Sequence, residues 1–187
     1  MIKLASVGGN WDYKNFNSII QAIKLIKENR PDIYNLIQYK QIGSNNGELI
    51  ELAKKLQVSD RCFFLGSVED WRIHLHDTDF LIAPSTEEGL NLSVVETSAF
   101  GIIPILSRRK CLNEHKRLGR DVIWLKDIDP LSISRNIISL TKYTYKEIRL
   151  KQIKIAEKSF FHYSSDKIIP KLLKVYDSAI LNINKNR

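Results

Sequence analysis

The 187-residue chain is poor in metal-binding and redox side chains, with two cysteines, one methionine and four histidines. Cys62 and Cys111 have neither CxxC spacing nor the density of a secreted disulfide scaffold, so both are expected to be reduced thiols. A structural zinc site, which needs about four N or S ligands, is not expected, since the two cysteines are 49 positions apart and would need two of the four histidines to complete it. His74, His76, Asp77 and Asp79 crowd together but read as a solvated polar face, because helical positions two apart point away from each other. No apolar run approaches the roughly 20 residues that cross a bilayer. The N-terminus lacks the apolar stretch and small-residue cleavage site of a signal peptide, and a cytoplasmic location is expected. There is no internal repeat and no low-complexity linker, which points to one domain over 1–187. Neither G-x-G-x-x-G nor a Walker loop occurs, so the two commonest glycine-rich phosphate signatures are missing.

What is present is ordinary globular composition, 43% hydrophobic and 27% charged, which excludes disorder and fibre. The formal charge of +8 is unevenly spread. Residues 1–141 carry 18 basic and 17 acidic side chains, whereas residues 142–187 carry 11 and 4. A basic tail suits anionic lipid head groups or a phosphorylated substrate, or is a helix surface kept soluble by lysine. Nucleic acid is not expected as a partner, because aromatic platforms interleaved with lysine and an arginine-rich run are both missing.

Apolar runs alternate with amphipathic stretches, the pattern of a parallel sheet wound with helices. Strands are predicted at 2–8, 33–43, 61–66, 80–84, 102–106 and 121–125. Helices are predicted at 15–28, ended by Pro31, and at 49–56, 69–77, 92–100 and 130–141, with two more at 145–158 and 165–181. The fold class is therefore α/β: a single doubly wound, Rossmann-like sheet with helices on both faces and further helices at the C-terminal end.

Ligands of such sheets sit beyond the carboxyl ends of the strands. Gly8 and Gly9 after the first strand allow close backbone approach, and Lys14 opens the next helix, where a phosphate is welcome. A two-glycine turn is also common without any ligand. In the loop PSTEEGLNLSVVETSAFG, Glu88 and Glu96 flank a helix N-terminus whose free amides favour an anion. The same residues admit a purely structural account, in which Ser93 and Glu96 form a capping box and Glu88 is a loop acid near the helix dipole.

The ordered set of segments resembles the C-terminal, nucleotide-sugar-binding domain of GT-B glycosyltransferases of the retaining family 4. The resemblance rests on Val7-Gly8 with Lys14, Ile42-Gly43, CFFLGSV at 62–68, Asp79, Pro84-Ser85-Thr86-Glu87-Glu88-Gly89, the Glu88 to Glu96 spacing, and Ala99-Phe100-Gly101. It covers about residues 3–141 and implies half of a GT-B fold. It further implies that Lys14 meets the donor diphosphate, Glu96 holds the ribose hydroxyls, and Glu88 lies against the donor sugar as the catalytic acid. Gly8, Gly9, Ser85 and the amides of Gly89, Leu90, Asn91 and Leu92 would complete the donor site, with Leu65 and Gly66 beside the base. The implied substrate is a nucleotide-diphosphate sugar, handled without a metal or cofactor, and the implied acceptor is a polysaccharide or glycolipid.

The sequence departs from the family pattern at three places. Gly9 stands where an arginine is usual, Glu88-Gly89-Leu90-Asn91 replaces E-G-F-G, and Lys110-Cys111 replaces a glycine pair. Arg108, Arg109 or Lys110 is a candidate to restore the lost cation. The acceptor-binding domain that precedes this one in such enzymes is not in the sequence, so a separate acceptor-binding domain or subunit is expected. A noncatalytic nucleotide-sugar-binding or assembly subunit, or a truncated inactive glycosyltransferase, is the alternative, and the tail suggests peripheral contact with an anionic inner leaflet or a lipid-linked acceptor.

Overall fold

The computed structural model describes residues 1–119 and 121–185. Residues 186 and 187, the end of the expected basic tail, lie outside the described residues. Six strands, β1 (Ile2–Val7), β2 (Ile37–Ile42), β3 (Cys62–Phe64), β4 (Phe80–Ala83), β5 (Ile103–Leu106) and β6 (Ile123–Trp124), form one sheet in the order β3-β2-β1-β4-β5-β6. Every pairing is parallel. β4 and β5 are buried along their whole length, which is why they read as unbroken apolar runs rather than alternating ones.

The helices are α1 (Phe16–Asn29), α2 (Pro31–Tyr34), α3 (Gly47–Lys55), α4 (Leu92–Ala99), α5 (Asn113–Arg117), α6 (Pro130–Leu140), α7 (Tyr145–Tyr163) and α8 (Ser165–Lys185). α1, α3 and α6 cover one face, where Ile19, Ile20, Ile23 and Ile26 of α1 pack with Ile133 and Ile137 of α6 over Leu4, Ile37 and Ile105. Each of those α1 isoleucines is fully buried and contributes roughly 1.5–3 kcal/mol. The other face is closed by α4 and α7, with Val94 and Ile102 over Ala5, Leu81 and Leu106. Gly101 (φ 81°) lets the end of α4 meet α7, since an added Cβ would lie 3.0 Å from the Gln152 carbonyl.

Three expectations are corrected. Pro31 ends α1 but also opens α2, its fixed φ and missing N–H suiting a first helical turn, so residues 33–36 are helix and turn and β2 begins only at Ile37. The helix predicted at 69–77 is a short 3₁₀ turn, Trp71–Leu75. His74 and His76 stay on that turn, but the two acids beside them do not form a solvated face. Asp77 accepts from Lys3 Nζ at 2.7 Å and Lys40 Nζ at 3.3 Å. Partial burial pushes its carboxyl up, and the two lysine hydrogen bonds outweigh this and hold it below the usual carboxylate range. Asp79 caps the Lys3 N–H at 2.9 Å, while burial keeps its own carboxyl above the usual range. These contacts fasten β1 to β4 at the amino edge.

Cys62 and Cys111 are both free. Cys62 is buried in β3 and burial pushes its thiol up to about 12, whereas Cys111 is exposed. No helix among the described residues is long and apolar enough to cross a membrane.

At the carboxyl edge two loops touch through glycine. Gly43 (φ 147°) lies so close to the loop after β1 that an added Cβ would stand 2.0 Å from the Gly8 carbonyl oxygen. Gln41 Nε2 donates to that same oxygen at 2.8 Å. Gly43→Ala is expected to lower stability by about 3 kcal/mol, through clash and strained φ, measured as a lower urea midpoint with an unchanged slope.

Candidate functional site

β1 lies between β2 and β4, so the winding reverses there and leaves a crevice beyond the carboxyl ends of β1 and β4. The loop after β1 is fixed from several sides. Asn10 N–H donates to Ser44 O at 2.9 Å, and Thr86 N–H, on the loop after β4, donates to Tyr13 O at 2.7 Å. Asn15, in the left-handed region at φ 57°, sends its amide to Ile128 O at 2.9 Å and to Pro84 O at 3.3 Å. One side chain thereby joins the ends of β1 and β4 to the start of α6.

Lys14 and Glu88 come together in this crevice. Lys14 Nζ lies 2.6 Å from Glu88 Oε1, and the side chains are only 15% and 7% exposed. The same oxygen accepts from Ser85 Oγ at 2.8 Å and Asn91 Nδ2 at 3.0 Å. Burying such a pair is expensive in hydration, and the two neutral donors offset part of that cost. The ammonium also stands 5.3 Å from the Tyr13 ring centre. Lysine has three donors, so the bond to Glu88 leaves capacity for a further acceptor.

Asn91 (φ 56°) is the N-cap of α4, its Oδ1 accepting from Val94 N–H at 3.4 Å and Ser93 Oγ at 2.7 Å. The Ser93–Glu96 capping box is therefore corrected: the helix begins one residue before Ser93, whose hydroxyl serves the cap. Glu96 is free to point outward, where its Oε1 faces Arg72 Nη2 at 3.6 Å with both side chains nearly half exposed, a weak and easily exchanged pairing. A lysine, the unpaired amides at the start of α4 and a carboxylate thus share one crevice, an arrangement that receives an anion and accepts from hydroxyl groups.

The remaining expected residues fall on the same edge. Gly66 (φ 72°) accepts from Gly43 N–H at 2.9 Å. With its nitrogen on Gly43 O (2.8 Å) and its oxygen on Gly66 N–H (3.0 Å), the Asn46 amide ties the two loops together. Leu65 packs with Val7, Val68 and Trp71 on the α4 side of the sheet. Gly89 has open space around it, Leu90 O accepts from the buried His115 Nε2 at 3.1 Å, and Leu92 is exposed. Of the three cations after β5, Arg109 leans on the site, its Nε 3.5 Å from Ser85 O, while Arg108 and Lys110 are exposed. The Gly8 carbonyl accepts from Gln41 while its Cα faces the Lys14 stem, where an added Cβ would lie 3.8 Å from Cε, and Gly9 meets Trp11 and Ser44.

Asn15, Arg72, His115 and Ser107, whose Oγ donates to Ser85 O at 2.7 Å, were missed in the sequence. Arg72 reaches Glu96 from 24 positions away and His115 reaches Leu90 from 25, and no local pattern marks either. Asn15 carried one usable signal, being a residue that tolerates the left-handed region immediately before a helix. A cavity of about 540 Å³ opens at the opposite, amino edge, between Lys3, Asp77, Tyr143 and Arg149. Lys3 and Asp77 pair with each other there and Arg149 donates to Gln152 Oε1, so the carboxyl edge remains the better candidate despite being shallower, with about 10 Å³ behind Glu88.

Residues 2–159 match the profile of the family described as glycosyl transferases group 1. The chain belongs to that family. An uncharacterized glycosyltransferase of Haemophilus influenzae is 33% identical over 123 residues, covering 62% of this chain and 33% of that protein. The N,N'-diacetylbacillosaminyl-diphospho-undecaprenol alpha-1,3-N-acetylgalactosaminyltransferase of Campylobacter jejuni is 28% identical over 120 residues, covering 64% and 31%. The chain thus spans about a third of the length of these curated relatives. Among solved structures, Anabaena Alr3699/HepE in complex with UDP and glucose superposes with a TM-score of 0.78 at 14% identity, over 95% of this chain and 48% of that one. The sheet is the Rossmann-like α/β fold of its GT-B glycosyltransferase neighbours.

In this group 1 glycosyltransferase domain the Asn91 side chain supports both α4 and Glu88. Asn91→Ala is expected to lower stability by about 2 kcal/mol, combining a lost cap with a left-handed alanine, and Asn91→Gly by less. Thermal melts of the two variants beside the parent chain check the order.

Proposed function

We propose that this domain binds a nucleotide-diphosphate sugar and donates the sugar, with retention of anomeric configuration, to a polysaccharide or glycolipid acceptor. The observation that carries the reading is the Lys14–Glu88 pair at the mouth of α4, in a chain of the group 1 family. Breaking the sugar–phosphate bond puts negative charge on the diphosphate and oxocarbenium-like charge on the sugar. Lys14 and the amides of Gly89, Leu90, Asn91 and Leu92 would meet the first, and Glu88, held by Ser85, the second. Glu96 would hold the ribose hydroxyls and Leu65 and Gly66 would flank the base, with Gly8 and Gly9 keeping backbone close to the phosphates. Arg109 is the cation best placed to replace the arginine missing at position 9. Charge on the leaving group is assigned to these groups without a metal.

Calorimetric titration with UDP, GDP and ADP and their glucose and N-acetylhexosamine conjugates, in EDTA, tests the donor site. One nucleotide is expected to bind selectively, and Lys14→Ala and Glu96→Ala each weaken it about fivefold or more. No binding to any of them, or binding that both variants keep, refutes the assignment. We propose further that a second unit, in a longer chain or a separate subunit, holds the acceptor. Turnover on supplying that unit supports the enzyme, whereas nucleotide binding without turnover supports a noncatalytic subunit.

The C-terminal helix supports a peripheral location. On α8, Ile169, Leu172, Leu173, Val175 and Tyr176 are 46–63% exposed along one arc, with Lys167, Lys171 and Lys174 on the other. An anionic inner leaflet fits both arcs, each lysine near the surface contributing about 1 kcal/mol. Co-sedimentation with phosphatidylglycerol-containing vesicles is expected at low salt and weaker at high salt. No sedimentation at either salt, or a concentration-dependent dimer that hides the arc, overturns this location.

A further inference from the structure

The same loop that carries Lys14 presents a feature the donor site does not use. Trp11 is 51% exposed at the carboxyl edge, yet its backbone is held on both sides, by Trp11 N–H to Gly9 O at 3.0 Å and Lys14 N–H to Trp11 O at 2.8 Å. A large apolar ring held toward water on a fixed loop gains nothing for the core. Gly9 is what allows it: an added Cβ there would stand 2.9 Å from Trp11 Nε1 and 2.8 Å from Ser44 Oγ. Gly9 is the floor on which the indole rests.

Beside the indole opens a cavity of about 450 Å³, lined by Asn10, Trp11, Asp12, Asn45, Gly47 and Glu48. The side-chain polar groups of Asn10, Asp12, Asn45 and Glu48 take no partner among the described residues. The volume lies within the roughly 300–1,000 Å³ of small-molecule sites. Two carboxylates and two amides with no cation repel a phosphate. They suit a neutral ring with many hydroxyl donors, and an indole face suits the apolar C–H face of that ring.

We propose that this pocket is an accessory carbohydrate subsite, in which one outlying sugar ring of an acceptor glycan whose reacting end is held by the second unit stacks on Trp11 and gives its hydroxyls to Asp12, Glu48, Asn10 and Asn45. The assignment of the sugar to the acceptor rests on the glycosyltransferase reading; the pocket itself does not. Its place on the loop that leads into Lys14 sets that sugar beside the proposed donor crevice.

The test uses the ¹⁵N-labelled chain and the indole N–H signal of Trp11, identified by its loss in Trp11→Phe. Methyl glycosides of glucose, galactose and N-acetylglucosamine are titrated to millimolar concentration, alone and with UDP present. At least one glycoside is expected to shift the Trp11 signal saturably and to bind with unchanged affinity when UDP is present. Binding, followed by saturation transfer to the glycoside, falls about tenfold or more in Trp11→Ala and less in Trp11→Phe, which keeps an aromatic face. It also falls in the double variant Asp12→Asn, Glu48→Gln. The signals of Trp71 and Trp124 report that each variant is folded. No shift with any glycoside, undiminished binding in Trp11→Ala, or displacement of the bound glycoside by UDP overturns the proposal. Glycoside binding without nucleotide binding supports the pocket and removes the donor assignment, so the two failures are distinct.

Discussion

A carboxylate taken almost out of water organises the carboxyl edge of this sheet. Glu88 Oε1 collects a lysine from the loop after β1, a serine from its own loop and the cap residue of α4. None of the three donors shifts without leaving charge uncompensated in a buried place, which costs several kcal/mol. The loop positions are therefore set jointly, and the crevice is formed before any ligand arrives. The backbone contact of Gly43 on Gly8 and the amides of Asn15 and Asn46 serve the same end from below, fastening loops whose own backbones have no sheet or helix to satisfy them.

Gly9 changes meaning once its surroundings are known. As a letter in the sequence it is a missing cation. In the structure it is the clearance for an indole, and from the other side of the crevice Arg109 leans on the Ser85 carbonyl. A near-neutral body and a basic tail follow the same division of labour, with charge concentrated in the last helices rather than around the crevice.

Much of the architecture was legible because burial on both faces leaves unbroken apolar strands, and α1 writes its buried face at helical spacing from Phe16 to Ile26. Errors gathered where one residue type serves two ends: Pro31 closes one helix and opens another, and the apolar residues 33–36 belong to a turn rather than to β2. The segment after β5 read as helix-compatible, but α5 had no bounds in the sequence, because five residues rich in charge hold too few apolar positions for a period. In the site, Lys14 and Glu88 stood out by residue type and position and Ser85 through the resemblance, and the structure brings the three together, whereas the Asn91 cap and the Arg72 partner of Glu96 could not be read from the sequence. A serine followed three positions later by glutamate reads as a cap, and only the fold shows that asparagine has already taken that place and that Arg72 stands opposite the glutamate.

The two thiols differ in a way that is useful to an experimenter. Cys62 is sealed in β3 with its proton held by burial, while Cys111 stands in water two residues beyond Arg109. A maleimide dye therefore attaches at one place in the unmodified chain, on the loop that rests against the crevice. The molecule carries its own attachment point for a fluorescent reporter of whatever occupies that edge.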